Sequence, residues 1–234
     1  VLVHGVTIMP GKPVLVGKIG AKPVFGMPGY PVSAIIAFEQ FVQPLLYGML
    51  GQETPERPLV PVRPTRKLAS KLGVEEFLRV KLGQVGDHIV ATALPRGAGI
   101  ITSITEADGV IRLPAHVDGL KDSEPIQAEL LKPATAVGNT VVAVGSHDNT
   151  LDLLADELRA RSRFSFSSSH VGSMGGLMAV KRGGCHLAGA HLLDTGDGSY
   201  NRSYVARYLP DTPVRLVNLV MRDQGLIIPR GNPK

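Results

Sequence analysis

Along the first fifty residues the apolar positions change from short runs to a helical period. Val1–Val6, Val14–Val16 and Val24–Phe25 read as short strands. From Pro31 onward Val32, Ile35, Ile36, Val42, Leu46, Met49 and Leu50 recur at the spacing of one helix face. Pro31 suits the first helical position, where an amide hydrogen would have no partner in any case. Pro44 cannot donate to the carbonyl of Gln40, so a kink is expected there. Gly48 and Gly51 fit the end of the helix. Strand and helix are joined by a tight turn, Met27-Pro28-Gly29-Tyr30-Pro31.

Gln52 to Pro64 carries four prolines and no helical period, and reads as a stiff connector leading into an edge strand. Short strands follow at Val60–Leu68, Glu75–Leu82, His88–Leu94, Val110–Leu113 and Ile126–Leu131, with Asp108-Gly109 as a turn signal. Closely spaced strands with glycine-rich breaks predict a small antiparallel barrel or sandwich. Lys132 to Thr140 is small and polar, a second linker. Beyond it the pattern alternates. A strand at Val141–Val144 precedes a helix marked by Leu151, Leu154, Ala155 and Leu158, and Phe164–Phe166 leads into the loop Ser167–Ser173. A helix through Leu177, Met178 and Val180 reaches Gly183, and a strand follows at Leu187–Leu193. Apolar runs at Val214–Met221 and Leu226–Ile228 close the chain. Such alternation predicts a parallel sheet with a ligand crevice at the carboxyl ends of its strands.

Composition narrows the function classes. With 234 residues, 44% apolar and 19% charged, the chain fits a globular protein of one large or two to three small domains. No run approaches the roughly 18 apolar residues that span a bilayer, and no leader pattern opens the chain, so no membrane partner and a cytoplasmic location are expected. The lone Cys185 excludes an internal disulfide and speaks against a cysteine zinc site; it reads as a buried thiol. The net charge of +5 suits an anionic ligand. Basic residues cluster at Arg57/Arg63/Arg66/Lys67 and Arg159/Arg161/Arg163, read as solvated faces. Aromatics are 5% and tryptophan is absent, so stacking platforms for nucleic acid are missing. No helix-turn-helix pattern with a basic second helix is seen either. A small anionic substrate fits better.

Two places carry candidate chemistry. The amides of the Gly29–Ser33 turn open a helix, and helix starts attract oxyanions through unpaired N–H groups and the dipole; an ordinary strand-to-helix turn is the alternative. Lys12 is either a phosphate contact or a solvated turn lysine. At the carboxyl ends of the alternating segment stand Ser146, His147, Ser168, Ser169, His170, Ser173 and His191. Hydroxyls with helix-start amides can hold a tetrahedral oxyanion; helix caps and a solvated loop are the alternative reading of the serines. The three histidines have no ligand spacing or carboxylate partner that supports a metal site, and no G-x-S-x-G turn supports a serine hydrolase.

Gly5-Val6, Pro10-Gly11-Lys12-Pro13 and Met27-Pro28-Gly29-Tyr30-Pro31-Val32-Ser33 resemble consecutive motifs of the molybdopterin molybdenumtransferase family, MoeA-like and related to the gephyrin E domain. Tyr30 stands where that family usually has Asn, and Met9 where a basic residue often precedes PGKP. Phe77-Leu78-Arg79-Val80, Arg96–Ser103 and Ala107-Asp108-Gly109 resemble its C-terminal β domain; Asp122-Ser123 replaces a glycine-acid turn. The stretches from Ser167 to Leu177, Ala188 to Asp194, Ser199 to Pro210 and Gln224 to Lys234 resemble a periplasmic-binding-protein-like domain of molybdate-binding type. The resemblance implies a multidomain α/β and β fold. Residues 1–51 would be the end of a molybdopterin-binding α/β domain, 52–134 a small β-barrel domain, and 138–234 part of the binding-protein-like α/β domain.

The resemblance further implies insertion of molybdenum from molybdate into adenylylated molybdopterin, with Mg2+ and both substrates as ligands. Pro28, Gly29, Tyr30, Pro31, Ser33 and Lys12 would face the phosphate or pterin end. Arg96 and Ser103 would reach substrate across a homodimer interface, loop contacts being the alternative, and other cofactor-assembly proteins would be partners. The catalytic and magnesium-binding acids are expected upstream of Val1, and a second lobe beyond Lys234, so the chain reads as a segment of a longer polypeptide. An oxyanion sensor without catalysis is the competing reading.

Overall fold

The computed structural model describes residues 1–122, 124–221 and 225–232. Ser123, and the part of the last apolar stretch at Gln224, Pro233 and Lys234, lie outside the described residues. The leading segment holds β1 (Val3–His4), β2 (Ile8–Met9), β3 (Leu15–Ile19) and β4 (Lys22–Gly26). β1, β3 and β4 form an antiparallel sheet in the order β1-β3-β4. Then α1 (Pro31–Ala37) continues through a π turn, Phe38–Val42, into α2 (Gln43–Met49). The expected kink at Pro44 takes this form. The Gln43 amide reaches back five residues to the Phe38 carbonyl, a wider turn that makes room for the proline ring. Gly51, at φ +69°, ends the helix, and the Gln52 amide donates to the Tyr47 carbonyl.

The central body contains β5 (Leu59–Pro64), β6 (Leu68–Ala69), β7 (Glu75–Val85), β8 (His88–Ala93), α3 (Thr102–Glu106), β9 (Gly109–Leu113), β10 (Gly119–Leu120) and β11 (Ile126–Leu130). Five strands close on themselves in the cycle β7-β8-β5-β11-β9, with β9 returning to β7. The alternative of a sandwich is thereby settled in favour of a barrel. Val62, Leu78, Val80, Leu82, Ile111 and Leu113 fill its interior. β5 is not the edge strand expected from its prolines. It pairs antiparallel with β11 over Leu59–Val62 and parallel with β8 over Arg63-Pro64. Each half is thus laddered on one side only, which a strand carrying Pro61 and Pro64 tolerates.

Residues 134–139 form a 3-10 turn rather than a free linker, because Val137 is buried in the barrel core. Asp108 is no exposed turn residue. It is buried and accepts a hydrogen bond from the Leu82 amide (3.0 Å), while Lys132 Nζ lies 2.8 Å from its other oxygen. Arg57 is not simply solvated: it pairs with Glu39 at 2.6 Å and with Glu129 at 3.9 Å, tying the π turn to β11.

The last segment is β12 (Thr140–Gly145), α4 (Thr150–Arg161), β13 (Ser165–His170), α5 (Gly172–Lys181), β14 (Leu187–Gly189) and α6 (Arg202–Tyr208). Its three strands are parallel in the order β13-β12-β14. The serine run expected as a loop lies within β13, paired residue for residue with β12. The runs Val214–Met221 and Leu226–Ile228 form no strand. Their side chains stay exposed, Val217 at 76% and Leu226 at 94%.

Barrel and parallel sheet share a core in which Val85 and Val90 meet Val142, Val144, Ala179 and Cys185. Burial pushes the Cys185 thiol up to about 11, which keeps it protonated and unreactive at neutral pH. Gly83 permits this contact, because a Cβ there would stand 2.4 Å from Val142 Cγ2 and 3.2 Å from the Thr140 carbonyl. Gly83→Ala is therefore expected to destabilise the chain by about 1–3 kcal/mol through overpacking. Val142→Ala should recover part of that loss in the double variant, read from urea denaturation midpoints.

Candidate functional site

The first candidate site is a corner where three turns meet. β2 runs into Pro10–Pro13, which folds back so that the Val6 amide donates to the Lys12 carbonyl at 2.9 Å. Gly11 sits at φ +116°, and a Cβ on it would stand 3.6 Å from the Ser33 carbonyl. The PGKP turn therefore lies against the first turn of α1. Tyr30 caps that helix in extended conformation without a side-chain bond, and Pro31 opens it, as expected. Lys12, Gly29 and Tyr30 are exposed, Pro31 is half-buried, and Pro28 and Ser33 are buried. Not all turn amides are free: the Val32 amide donates to the Ala98 carbonyl at 3.1 Å. The Gly97–Ile101 loop of the barrel segment thus covers the helix start, with Gly99 beside the Tyr30 ring.

Arg96 belongs to this corner and Ser103 does not reach its surface. Arg96 Nε lies 3.0 Å from Glu76 Oε1, and Glu76 is the β7 partner of Met9 in the parallel β2–β7 ladder. The Ser70 hydroxyl donates to the other Glu76 oxygen at 2.8 Å. Ser103 is 1% exposed. Its Oγ accepts from Arg79 Nε at 2.9 Å and donates to the Ile100 carbonyl at 2.6 Å, so its role is to brace the loop rather than touch a ligand. Burial holds the Arg79 guanidinium below its ordinary value against the opposing charge of Glu76. Sequence reading did not single out Glu76, and it met Arg79 only within the Phe77–Val80 motif; the signal available was that charges interrupt the apolar run of this strand.

The second candidate site lies along the carboxyl edge of the parallel sheet. Gly145 and Gly189 let the ends of β12 and β14 approach, since a Cβ on Gly145 would stand 2.4 Å from the Gly189 carbonyl. These two strands flank the point where the chain reverses its direction across the sheet, the crevice position for such folds. There the Ser146 and Ser173 hydroxyls are 2.8 Å apart. Ser173 Oγ accepts from the His191 amide at 3.0 Å and lies 3.3 Å from His191 Nδ1. Next to them, His147 Nδ1 and His170 Nε2 are 3.1 Å apart, and Ser168 Oγ is 3.1 Å from the same His170 nitrogen.

Six of the seven predicted residues therefore come together. Ser169 does not. Strand alternation turns Ser168 and His170 to one face of β13 and Ser167 and Ser169 to the other, where both are buried and their hydroxyls lack a partner among the described residues.

The two helix starts at this edge differ. The α4 start is occupied by carboxylates: the Thr150 amide donates to Asp148 Oδ1 at 2.9 Å, and Asp152 stands in the first turn. The α5 start has no side-chain cap and no acid in its first turn. Its N–H groups and dipole, with two hydroxyls beside them, favour an anion there. Among the described residues, no group of three or more His, Cys, Asp or Glu is placed to hold a metal ion. An open groove lined by Val6, Gln40, Phe41, Glu75 and Phe77 contains none of the predicted site residues.

Known families match this layout in three pieces. Residues 1–48 match the probable molybdopterin binding domain, 61–131 the MoeA C-terminal region (domain IV), and 155–234 the PBP superfamily domain. A protein of Methanocaldococcus jannaschii named for molybdopterin biosynthesis is 39% identical over 132 residues, 56% of this chain and 30% of that protein. The uncharacterized protein YvgK of Bacillus subtilis is 30% identical over 126 residues, 52% of this chain and 41% of that one. Molybdopterin molybdenumtransferase 2 of Mycobacterium tuberculosis is 32% identical over 115 residues, 48% of this chain and 27% of the enzyme. Among solved structures, a molybdenum cofactor biosynthesis protein from Pyrococcus furiosus aligns with TM-score 0.46 and 32% identity, over 55% of this chain and 45% of that one. The chain spans less than half the length of these relatives. Up to residue 131 the chain is thus similar to MoeA-type proteins, and from residue 155 it is similar to the PBP superfamily.

Arg96→Ala is expected to lower the stability of the chain by about 2 kcal/mol, because it removes the direct ion pair of a buried carboxylate and leaves Glu76 with the Ser70 hydroxyl and the charge of Arg79. In a double-mutant cycle, Glu76→Gln should restore about half of the loss. Equal losses in the single and double variants would show that the ion pair does not anchor the loop.

Proposed function

We propose that the chain is part of a protein of molybdenum cofactor biosynthesis that inserts molybdenum from molybdate into adenylylated molybdopterin, and that its PBP-like domain binds molybdate or tungstate. The observation that supports the binding role is the uncapped α5 start with the Ser146 and Ser173 hydroxyls and the His191 ring gathered beside it. A tetrahedral dianion offers only acceptors, and here it meets hydroxyls, amides and an imidazole. The two carboxylates nearby, Asp148 and Asp152, sit at the other helix start.

In the proposed reaction the corner acts by position and charge. Lys12 and Arg96 supply cationic groups for a phosphate, while Pro28 and Pro31 fix the turn that presents Gly29 and Tyr30. Ser33 contributes through backbone position, since its side chain is buried. The family's magnesium would neutralise phosphate charge, with its ligands outside this segment. Binding molybdate on the same polypeptide raises its local concentration at the transfer site. Homodimerisation and contact with other cofactor-assembly proteins belong to the same proposal. The capture of the Val32 amide by Ala98 favours a second reading, an oxyanion sensor whose phosphate corner stays closed. Turnover of adenylylated molybdopterin by the whole gene product would exclude it.

Isothermal titration of the full-length protein with molybdate tests the binding role. Ser173→Ala is expected to weaken binding about tenfold, a loss of about 1.4 kcal/mol, whereas Ser169→Ala, on the far face of β13, should leave it unchanged. No binding by the parent protein, or equal affinity of parent and Ser173→Ala, would overturn the assignment.

A further inference from the structure

We propose that His147 and His170, with Ser168 beside them, form a protonatable half of the oxyanion site, so that the PBP-like domain takes up a tetrahedral dianion together with a proton. The inference rests on the oxyanion reading of this edge and goes beyond it.

Alternation along β13 and the order of the loops split the edge into two neighbouring parts. Ser146, Ser173 and His191 stand on the α5 side. His147, Ser168 and His170 stand together next to them, because His147 follows Ser146 directly and His170 is the register partner of Gly145. The two imidazole rings lie with centroids 4.1 Å apart and tilted by 40°. Their facing nitrogens, His147 Nδ1 and His170 Nε2, are 3.1 Å apart. In the neutral pair one of these nitrogens carries the hydrogen and the other accepts it. One added proton converts the pair to a shared cation with both rings able to donate.

The charged groups around the pair come from each element packed on it. His147 and Asp148 belong to the loop after β12, Asp152 to α4, Ser168 to β13, and Arg66 to the turn after β5 of the barrel. Asp148 is engaged by the Thr150 amide and hydroxyl. Burial first, then His147 and Arg66, hold His170 below the usual imidazole range, with Asp152 opposing. The free domain therefore keeps His170 uncharged down to lower pH than an ordinary histidine. A dianion entering at the α5 start supplies the opposite charge at close range and raises the affinity of the pair for a proton.

The sign follows from linkage. His170 is depressed in the free protein and lifted in the complex. Between those two values each bound anion brings in one proton, and affinity grows as pH falls. The limiting slope is about tenfold per pH unit for one coupled proton. Arg66 makes the barrel part of this balance, since its charge opposes protonation of the free pair.

The test is calorimetric titration of the full-length protein with molybdate at about pH 6 and about pH 8, each in two buffers of different ionisation enthalpy. The parent protein is expected to take up a sizeable fraction of a proton at the lower pH and to bind several-fold more weakly at the higher one. His170→Gln and His147→Gln should each abolish the proton uptake and flatten the pH dependence while retaining the weaker affinity. Parent and His170→Gln proteins with the same pH dependence would overturn the inference. If the parent binds molybdate in a Ser173-dependent way without proton uptake, only this inference fails. If it binds none at either pH, the oxyanion reading fails with it.

Discussion

One strand carries the whole arrangement. β7 is eleven residues long, and its alternating side chains face two different worlds. Leu78, Val80 and Leu82 point into the closed barrel. The residues between them hold everything outside it, in order along the strand. Phe77 packs on Val32 and Ile36 of α1; Arg79 braces the loop through Ser103. Lys81 lies 3.7 Å from Asp108, Gly83 admits Val142, and Val85 joins the core shared with the parallel sheet. Burial lowers Lys81 from its ordinary value and Asp108 restores part of it, the pattern of a charge kept inside by its partner. Barrel closure fixes the twist and register of β7, and thereby the placement of the turn corner at one end and the carboxyl edge of the parallel sheet at the other.

The two candidate sites are built on different physics. The corner is made of constrained backbone: two prolines and a positive-φ glycine hold the turns together, and a carbonyl from the barrel loop already satisfies one helix amide. The sheet edge is made of side-chain hydroxyls and imidazoles. Its hydroxyls and imidazoles are bonded chiefly to one another, so an incoming oxyanion exchanges bonds instead of stripping a group of its only partner. α4 and α5 differ at this edge: carboxylates stand at the α4 start, and the α5 start has no side-chain cap and no acid in its first turn.

Much of this was legible in residue order. The helix from Pro31, the strand succession through the barrel segment, the strand–helix alternation after Thr140 and the placement of Ser146, Ser173 and His191 at the carboxyl edge all follow from period and punctuation. What escaped depended on partners distant in the chain. The half-and-half pairing of β5 needs both β8 and β11 in place, and no local pattern encodes it. The burial of Val137 turned a polar-looking linker into part of the core. The serine run broke the hydrophobic rule for a strand, yet β12 gave it a ladder to join, and parity then removed Ser169 from the site. Glu76 and Asp108 are buried acids whose cations arrive from other elements.

The central claim is that a tetrahedral oxyanion sits at the α5 start, between the ends of β12 and β14. Amide chemical-shift mapping of the full-length protein with molybdate addresses it directly. The account predicts saturable shifts at Ser146, Ser173 to Gly175 and His191, with little change at Thr150 to Leu154. Shifts confined to the α4 start, or absent from both helix starts, would contradict it.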